Sequence, residues 1–290
     1  MYWRRRCRTL AEGAVEKFFL LAALVAVMAV FIISLYILVS GWPVIARHGL
    51  SFVTGGHWYP DRGVFGILPM IVGSLAVTLG ALGLGVPLGL AGAIFLAELA
   101  PPPVSRLVKP AVELLAGIPS VVYGFFGMTI LVPLIRQYLA GPGYSVLAGA
   151  VILAIMILPT IITISDASLR AVPLEYREGS LALGATHWQT IRRILLPAAR
   201  SGIVAGIVLG MARAIGETMA VIMVTGNVTL VPRSILDPVR TLTGNIVIEM
   251  GYAAGEHQQA LFATGVVLFL FIVALNLVVI KVSQRSTQTT

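Results

Sequence analysis

Long apolar runs separated by shorter polar segments set the pattern of this chain. They cover residues 18–40, 69–98, 111–135, 144–165, 201–226 and 260–282, and each is long enough for a spanning helix, which takes about 20 mainly apolar residues. The first run exceeds the ~7–15-residue core of a signal peptide and is followed by no small-residue cleavage site, so it is expected to remain as the first span. The second holds Gly73, Gly80, Gly83, Gly85, Gly89, Gly92 and Pro87 and is expected to pack tightly and bend. In the third, Gly117 and Pro119 of GIPSVVYGFFG weaken the helix, which is tolerated at membrane depth only where protein or water satisfies the freed backbone groups. Pro159 lies near the end of the fourth. The pattern predicts an all-α polytopic membrane protein, one domain over 1–290 with six transmembrane helices and both termini on one side.

The run 201–226 contradicts its own hydrophobicity, because Arg213 and Glu217 stand near its middle. A charge at mid-bilayer costs roughly 2.5–3.5 kcal/mol on insertion scales, so it usually faces a protein interior or a wet cavity. At 100° per residue, Gly202, Gly206, Gly210 and Ala220 share a sector with both charges, while Val204, Val208, Met211, Ile215 and Ile222 form the far side. The small face suits close backbone approach; the far face suits lipid or a packed core.

Composition agrees with the pattern. The 290 residues are 58% hydrophobic and 11% charged, against about 25% charged in a soluble domain. The 20 Lys and Arg against 12 Asp and Glu give a net charge of +8, which raises nucleic acid as a partner until the charges are placed. Taking the N-terminus, 98–110, 166–200 and the C-terminus as one side gives Arg4, Arg5, Arg6, Arg8, Lys17, Arg106, Lys109, Arg170, Arg177, Arg192, Arg193, Arg200, Lys281 and Arg285. The other side has only Arg47, Arg62, Arg136, Arg233 and Arg240. By the positive-inside tendency the basic side is cytoplasmic, so both termini are cytoplasmic and no nucleic acid is needed to explain the charge. Trp42, Trp58 and Tyr59 would then lie near the outer interface. Cys7 is alone, so no intramolecular disulfide forms. His48, His57, His187 and His257 lack ligand spacing, and no metal site is expected. Glu98 and Glu113, near the basic boundary, suit capping or pairing better than catalysis.

The polar segment 166–200 holds the most specific stretch, EYREGSLALGATHWQTIRRILLPAAR. It reads as a short helix opened by Pro173 with Glu175 and Glu178 in its first turns, a break at Gly184, and a second helix over about His187 to Leu195 stopped by Pro197. A plain connector is one reading of that local pattern. The spacing of Glu178, Gly179, Ser180, Gly184, Ile194, Leu196 and Pro197, however, resembles the EAA loop of bacterial ABC importer permeases, with Gly179 and Ser180 replacing the alanines that follow the glutamate. That resemblance implies a type I (MetI-like) permease whose 174–197 loop docks on a cytoplasmic ATPase. No Gly-Xaa4-Gly-Lys-Ser/Thr phosphate loop occurs in the sequence, so ATP is expected to be used by the partner and the chain itself to be no enzyme, with no catalytic residue and no cofactor.

WYPDRGVFGILPMIVGSL, GIPSVVYGFFG and ARAIGETMAV resemble the phosphate-specific ABC importer, with Trp58-Tyr59-Pro60, Phe65-Gly66 and Met219-Ala220-Val221 favouring the PstC type over the PstA type. The resemblance implies a permease of the bacterial inner membrane, surrounded by membrane lipid. It would pair with a second, PstA-type permease, with two copies of a PstB-type ATPase and with a PstS-type phosphate-binding protein docking outside on 41–68 and 227–259. Guanidinium binds phosphate oxygens in a bidentate fork, so Arg213 is the candidate contact in the substrate pathway. Glu217 is expected to hold the arginine and to keep the stop weak. The alternative for the pair is a structural ion pair, and for Tyr123 and Pro119 helix packing. A permease for molybdate or sulfate, a gradient-driven carrier and, more remotely, a membrane-embedded enzyme are the rival functions. On a continuous helix Arg213 would lie about 24 Å beyond Pro197.

Overall fold

The computed structural model describes residues 2–139 and 141–285, with side-chain surroundings for 15–139 and 141–277. The calls on Arg4, Arg5, Arg6, Cys7, Arg8, Lys281 and Arg285 concern side chains outside the described residues. The described residues are mostly helical, with one small hairpin and an irregular segment over 226–241. The first helix, α1 (Tyr2–His48), is longer than the apolar run that predicts it, and carries Pro43 inside. A short α2 (Leu50–Thr54) leads to an antiparallel hairpin of β1 (Trp58–Tyr59) and β2 (Val64–Phe65), in which Trp58 pairs with Phe65. Then come α3 (Leu68–Ile94), prolonged by a π-helical turn Phe95–Leu99, and α4 (Pro102–Gly117).

The third apolar run is divided. Ile118 and Pro119 are extended (ψ 128° and 139°), and a new helix starts with α5 (Ser120–Phe126), passes through a π-helical turn Gly127–Leu131 and ends with α6 (Val132–Tyr138). The span is therefore Ser120–Tyr138 rather than 111–135, and 102–117 is a separate helix. Proline explains the division, because it disfavours helical backbone in the residue before it and removes a donor from the next turn.

The fourth span, α7 (Val146–Arg170), is the central element: Ile152, Leu153, Met156, Ile157 and Ile161 are almost fully buried. Its N-cap Ser145 accepts the Ala148 N–H at 3.2 Å. Two glycine-lined seams bring neighbours onto it. On α3, an added Cβ at Gly85 would sit 2.8 Å from Ile157 and one at Gly89 2.7 Å from Ile161, which accounts for the glycine density of the second run.

After α7 come α8 (Leu174–Ala182), α9 (His187–Thr190), a π-helical turn Ile191–Leu195 and α10 (Leu196–Ala198). The fifth run is α11 (Arg200–Gly216) and α12 (Met219–Thr225). The chain bends by 71° between Ala198 and Arg200, so the straight path from Pro197 to Arg213 is corrected to a bent one. The segment 227–259 contains α13 (Leu242–Met250), whose first four residues are all buried, and α14 (Glu256–Arg285) ends the fold beside α1. Among the described residues five helices are long and apolar enough to cross a membrane, or six if α11 is counted with the helix from which it is bent.

Candidate functional site

The two groups of candidate residues lie at opposite ends of α11. At its far end the helix stops at Gly216: Glu217 is extended (φ −69°, ψ 133°), Thr218 has φ −122°, and α12 begins at Met219. The freed polar groups find partners on both sides. The Glu217 carboxylate Oε1 accepts the Ala220 N–H at 3.1 Å and caps α12, and the Glu217 carbonyl accepts the Thr243 hydroxyl of α13 at 3.1 Å. A continuous helix over 201–226 is thus corrected to two helices with a side-chain-capped break. The break also removes Glu217 from helical register with Arg213, and no ion pair or hydrogen bond joins the two among the described residues. The expected partner of the arginine serves instead as the cap of the next helix.

Arg213 is half-buried, and its guanidinium makes no hydrogen bond or ion pair among the described residues. Tyr123 of α5 belongs to the same buried cluster as Ala214, the residue after Arg213. The buried Tyr123 hydroxyl donates to the Leu115 carbonyl at 2.8 Å, across the break at Ile118–Pro119. Gly124 lies against α12, an added Cβ being 2.9 Å from Ala220 Cα. The two breaks of the apolar spans are therefore neighbours, and both border open space: a side chain at Gly117 or Gly216 would meet no atom within 4 Å. The glycine face of α11 packs on α7, with Gly206 against Ile164 and Gly210 against Ile161. Met211 and Ile215, placed by helical angle on the far side, are buried as well.

At the near end, α8 starts behind Pro173 and ends at Ala182, and two residues on Gly184 has a φ of 83°, the left-handed backbone that favours glycine. The second helix opens with a capping box, Thr186 accepting the Gln189 N–H while Gln189 accepts the Thr186 N–H. It continues past Pro197 to Ala198. Of the motif residues, Glu178, Gly179, Gly184 and Pro197 are exposed, Ile194 and Leu196 are half-buried, and Ser180 shares a hydroxyl–hydroxyl hydrogen bond of 3.0 Å with Thr190. Ile191 and Leu195 pack into a cluster with Leu169, Ala199 and Ile203, against Leu90 and Ile94 of α3.

The loop is tied to the body of the protein by charge. The Arg177 guanidinium donates to Glu98, whose side chain is 1% exposed, and His187 lies 3.9 Å from the same carboxylate. Nearby, Asp166 accepts from Lys109 of α4 at 2.5 Å and from Arg170 at 2.9 Å. Glu98 is thus a pairing residue. Glu113 lines a cavity of about 120 Å³ beside Lys109 and Asp166. Between these anchors the loop presents apolar side chains outward: Leu183 is 91% exposed and Trp188 57%. Sequence reasoning did not single them out, although a leucine and a tryptophan in a polar segment were the available signal.

A second feature not foreseen is a buried carboxylate at the opposite end. Glu249 of α13 accepts from Arg240, from Trp58 Nε1 at 2.8 Å and lies 2.8 Å from His257 Nε2. Arg240 also donates to Asn245 and to the Asn227 carbonyl. This cluster seats α13 against the hairpin, and α13 in turn reaches the Glu217 carbonyl. No group of three or more His, Cys, Asp or Glu able to hold a metal occurs among the described residues.

Comparison with known proteins bears on the whole chain. It is 43% identical over 284 residues to the probable ABC transporter permease protein YqgH of Bacillus subtilis (strain 168), covering 94% of this chain and 92% of that protein. It is 36% identical over 270 residues to the phosphate transport system permease protein PstC of Mesorhizobium japonicum, covering 86% and 83%. In fold it is similar to a chain of the alginate ABC transporter complexed with its periplasmic protein (TM-score 0.64, 17% identity, 94% of both chains). It is likewise similar to a chain of the inward-facing MetNI methionine ABC transporter (TM-score 0.61, 19% identity, 79% of this chain and 99% of that one). Residues 85–288 match the model of the binding-protein-dependent transport system inner membrane component, and the chain belongs to that family.

Proposed function

We propose that this chain is the PstC-type permease subunit of an ATP-driven phosphate importer and forms half of its translocation pathway. The observation that carries the substrate reading is Arg213: a guanidinium in an apolar span, beside a helix break that borders open space, with no anionic partner among the described residues. Such a group suits a passing oxyanion better than a structural ion pair, which would need an acid within reach. The likeness to PstC proteins supports phosphate among oxyanions.

The basic end is the cytoplasmic one, with both termini there. The loop Leu174–Ala198 docks on a cytoplasmic ATPase through Leu183 and Trp188, held in place by Glu98 and Arg177. ATP is hydrolysed in that partner, present in two copies, and a second, PstA-type permease completes the pathway. A phosphate-binding protein delivers the substrate to the outer surface built by the hairpin and α13. Uptake of phosphate into vesicles carrying the whole complex, with sulfate and molybdate as competitors and ATP withheld in a parallel arm, tests the reading. Preferential transport of either competitor would end the phosphate assignment, and uptake without the ATPase would end the importer mechanism.

A further inference from the structure

Beside the two helix breaks, α5 carries a buried phenol. Tyr123 is 7% exposed, lies in the cluster that also holds Ala214, Ala220 and Val221, and is followed by Gly124, which touches α12. Its hydroxyl donates 2.8 Å to the Leu115 carbonyl, eight residues earlier on the other side of the Ile118–Pro119 break. That carbonyl already accepts the Ile118 N–H at 3.3 Å, so the break does not depend on the tyrosine for its satisfaction. A phenol spans the gap all the same, and it does so where the third and fifth spans are interrupted side by side.

We propose that Tyr123 is a second substrate-contacting residue, its hydroxyl parked on the Leu115 carbonyl at rest and turning to donate to an oxyanion oxygen held by Arg213. The inference rests on the assignment of Arg213 to the pathway. The exchange is a hydrogen-bond swap in which no covalent bond changes. A phenol donates to a charged oxygen more strongly than to a neutral carbonyl, so an arriving anion draws the hydroxyl away, and departure of the anion returns it. The Leu115 carbonyl keeps its Ile118 partner throughout. The anion is then held from two spans, by a cation on α11 and a neutral donor on α5. A neutral donor adds orientation without adding charge, which keeps the stop weak enough for release.

The test is a double-mutant cycle of Tyr123→Phe and Arg213→Lys in vesicles carrying the assembled complex, reading phosphate uptake, ATP hydrolysis stimulated by the binding protein, and assembly. Tyr123→Phe removes the hydroxyl and retains the ring. Loss of a hydrogen bond to a charged group predicts about a tenfold lower maximal uptake, with assembly and ATP hydrolysis unchanged, so that less phosphate moves per ATP. The double variant should lose less than the product of the two single losses, because both groups act on one anion. Normal uptake by Tyr123→Phe, a fall of uptake and ATP hydrolysis together, or multiplicative losses would each overturn the contact. A normal Tyr123→Phe beside an impaired Arg213→Lys refutes the tyrosine alone. An impaired Tyr123→Phe beside a normal Arg213→Lys refutes the arginine assignment and, with it, the shared contact proposed here.

Discussion

Glu98→Gln should loosen transport from ATP hydrolysis without dismantling the protein. The glutamate sits where α3 runs out toward the loop, its side chain 1% exposed, with Arg177 on one oxygen and His187 3.9 Å from the other. Glutamine keeps the size and one acceptor but removes the charge. A hydrogen bond to a charged group contributes about 1.5–3 kcal/mol when well shielded. The Arg177 side chain is 34% exposed, and solvent screening brings the loss down to about 1–1.5 kcal/mol. A difference of 1.4 kcal/mol is about tenfold in an equilibrium, so the fraction of molecules with the loop seated on α3 falls by about that factor relative to the unseated form. The cluster of Ile191 and Leu195 still holds the second helix, and assembly should survive. The assay is phosphate moved per ATP hydrolysed in vesicles: the ratio should fall, and Arg177→Gln should give the same deficit, with the double variant little worse than either. An unchanged ratio in both single variants would refute the anchoring role of this pair.

Further changes probe the other joints. Gly184→Pro forces φ from 83° to about −65° and so deforms the turn between α8 and α9; it should uncouple transport with membrane insertion intact, and undiminished phosphate-stimulated ATP hydrolysis would count against the coupling role. Gly210→Leu overfills the α7–α11 seam, where even a Cβ would stand 3.1 Å from Ile161. A destabilisation of about 1–3 kcal/mol should appear as a lower Tm of the purified complex, and an unaltered Tm would mean that the seam can open to admit the side chain.

The parts legible in the sequence are those governed by local chemistry. Pro173 and Gly184 mark the loop helices with signals that need no tertiary context, and the structure places a helix start and the left-handed turn there. The glycines of α3 and α11 announce close approach, and α7 is what approaches. The break at Glu217 was not legible. No proline marks it, and its supports are a carboxylate turned onto Ala220 and a hydroxyl from Thr243, 26 residues away. Helical-wheel reasoning carried through 216–218 therefore paired Arg213 with a residue that had left the helix. At the third-span break Pro119 is visible in the sequence and points to a weakened helix, whereas the structure has two separate helices on either side of Ile118–Pro119. The Glu249 cluster gathers Trp58, Arg240 and His257 from three segments, a juxtaposition that only the fold creates.

The central claim is that Arg213 contacts the transported anion, and its most direct test is Arg213→Lys in the assembled complex. Lysine keeps the positive charge but loses the planar fork. The account predicts markedly reduced phosphate uptake, with assembly and binding-protein-stimulated ATP hydrolysis at wild-type levels; wild-type uptake by the variant would contradict it and return Arg213 to a structural role.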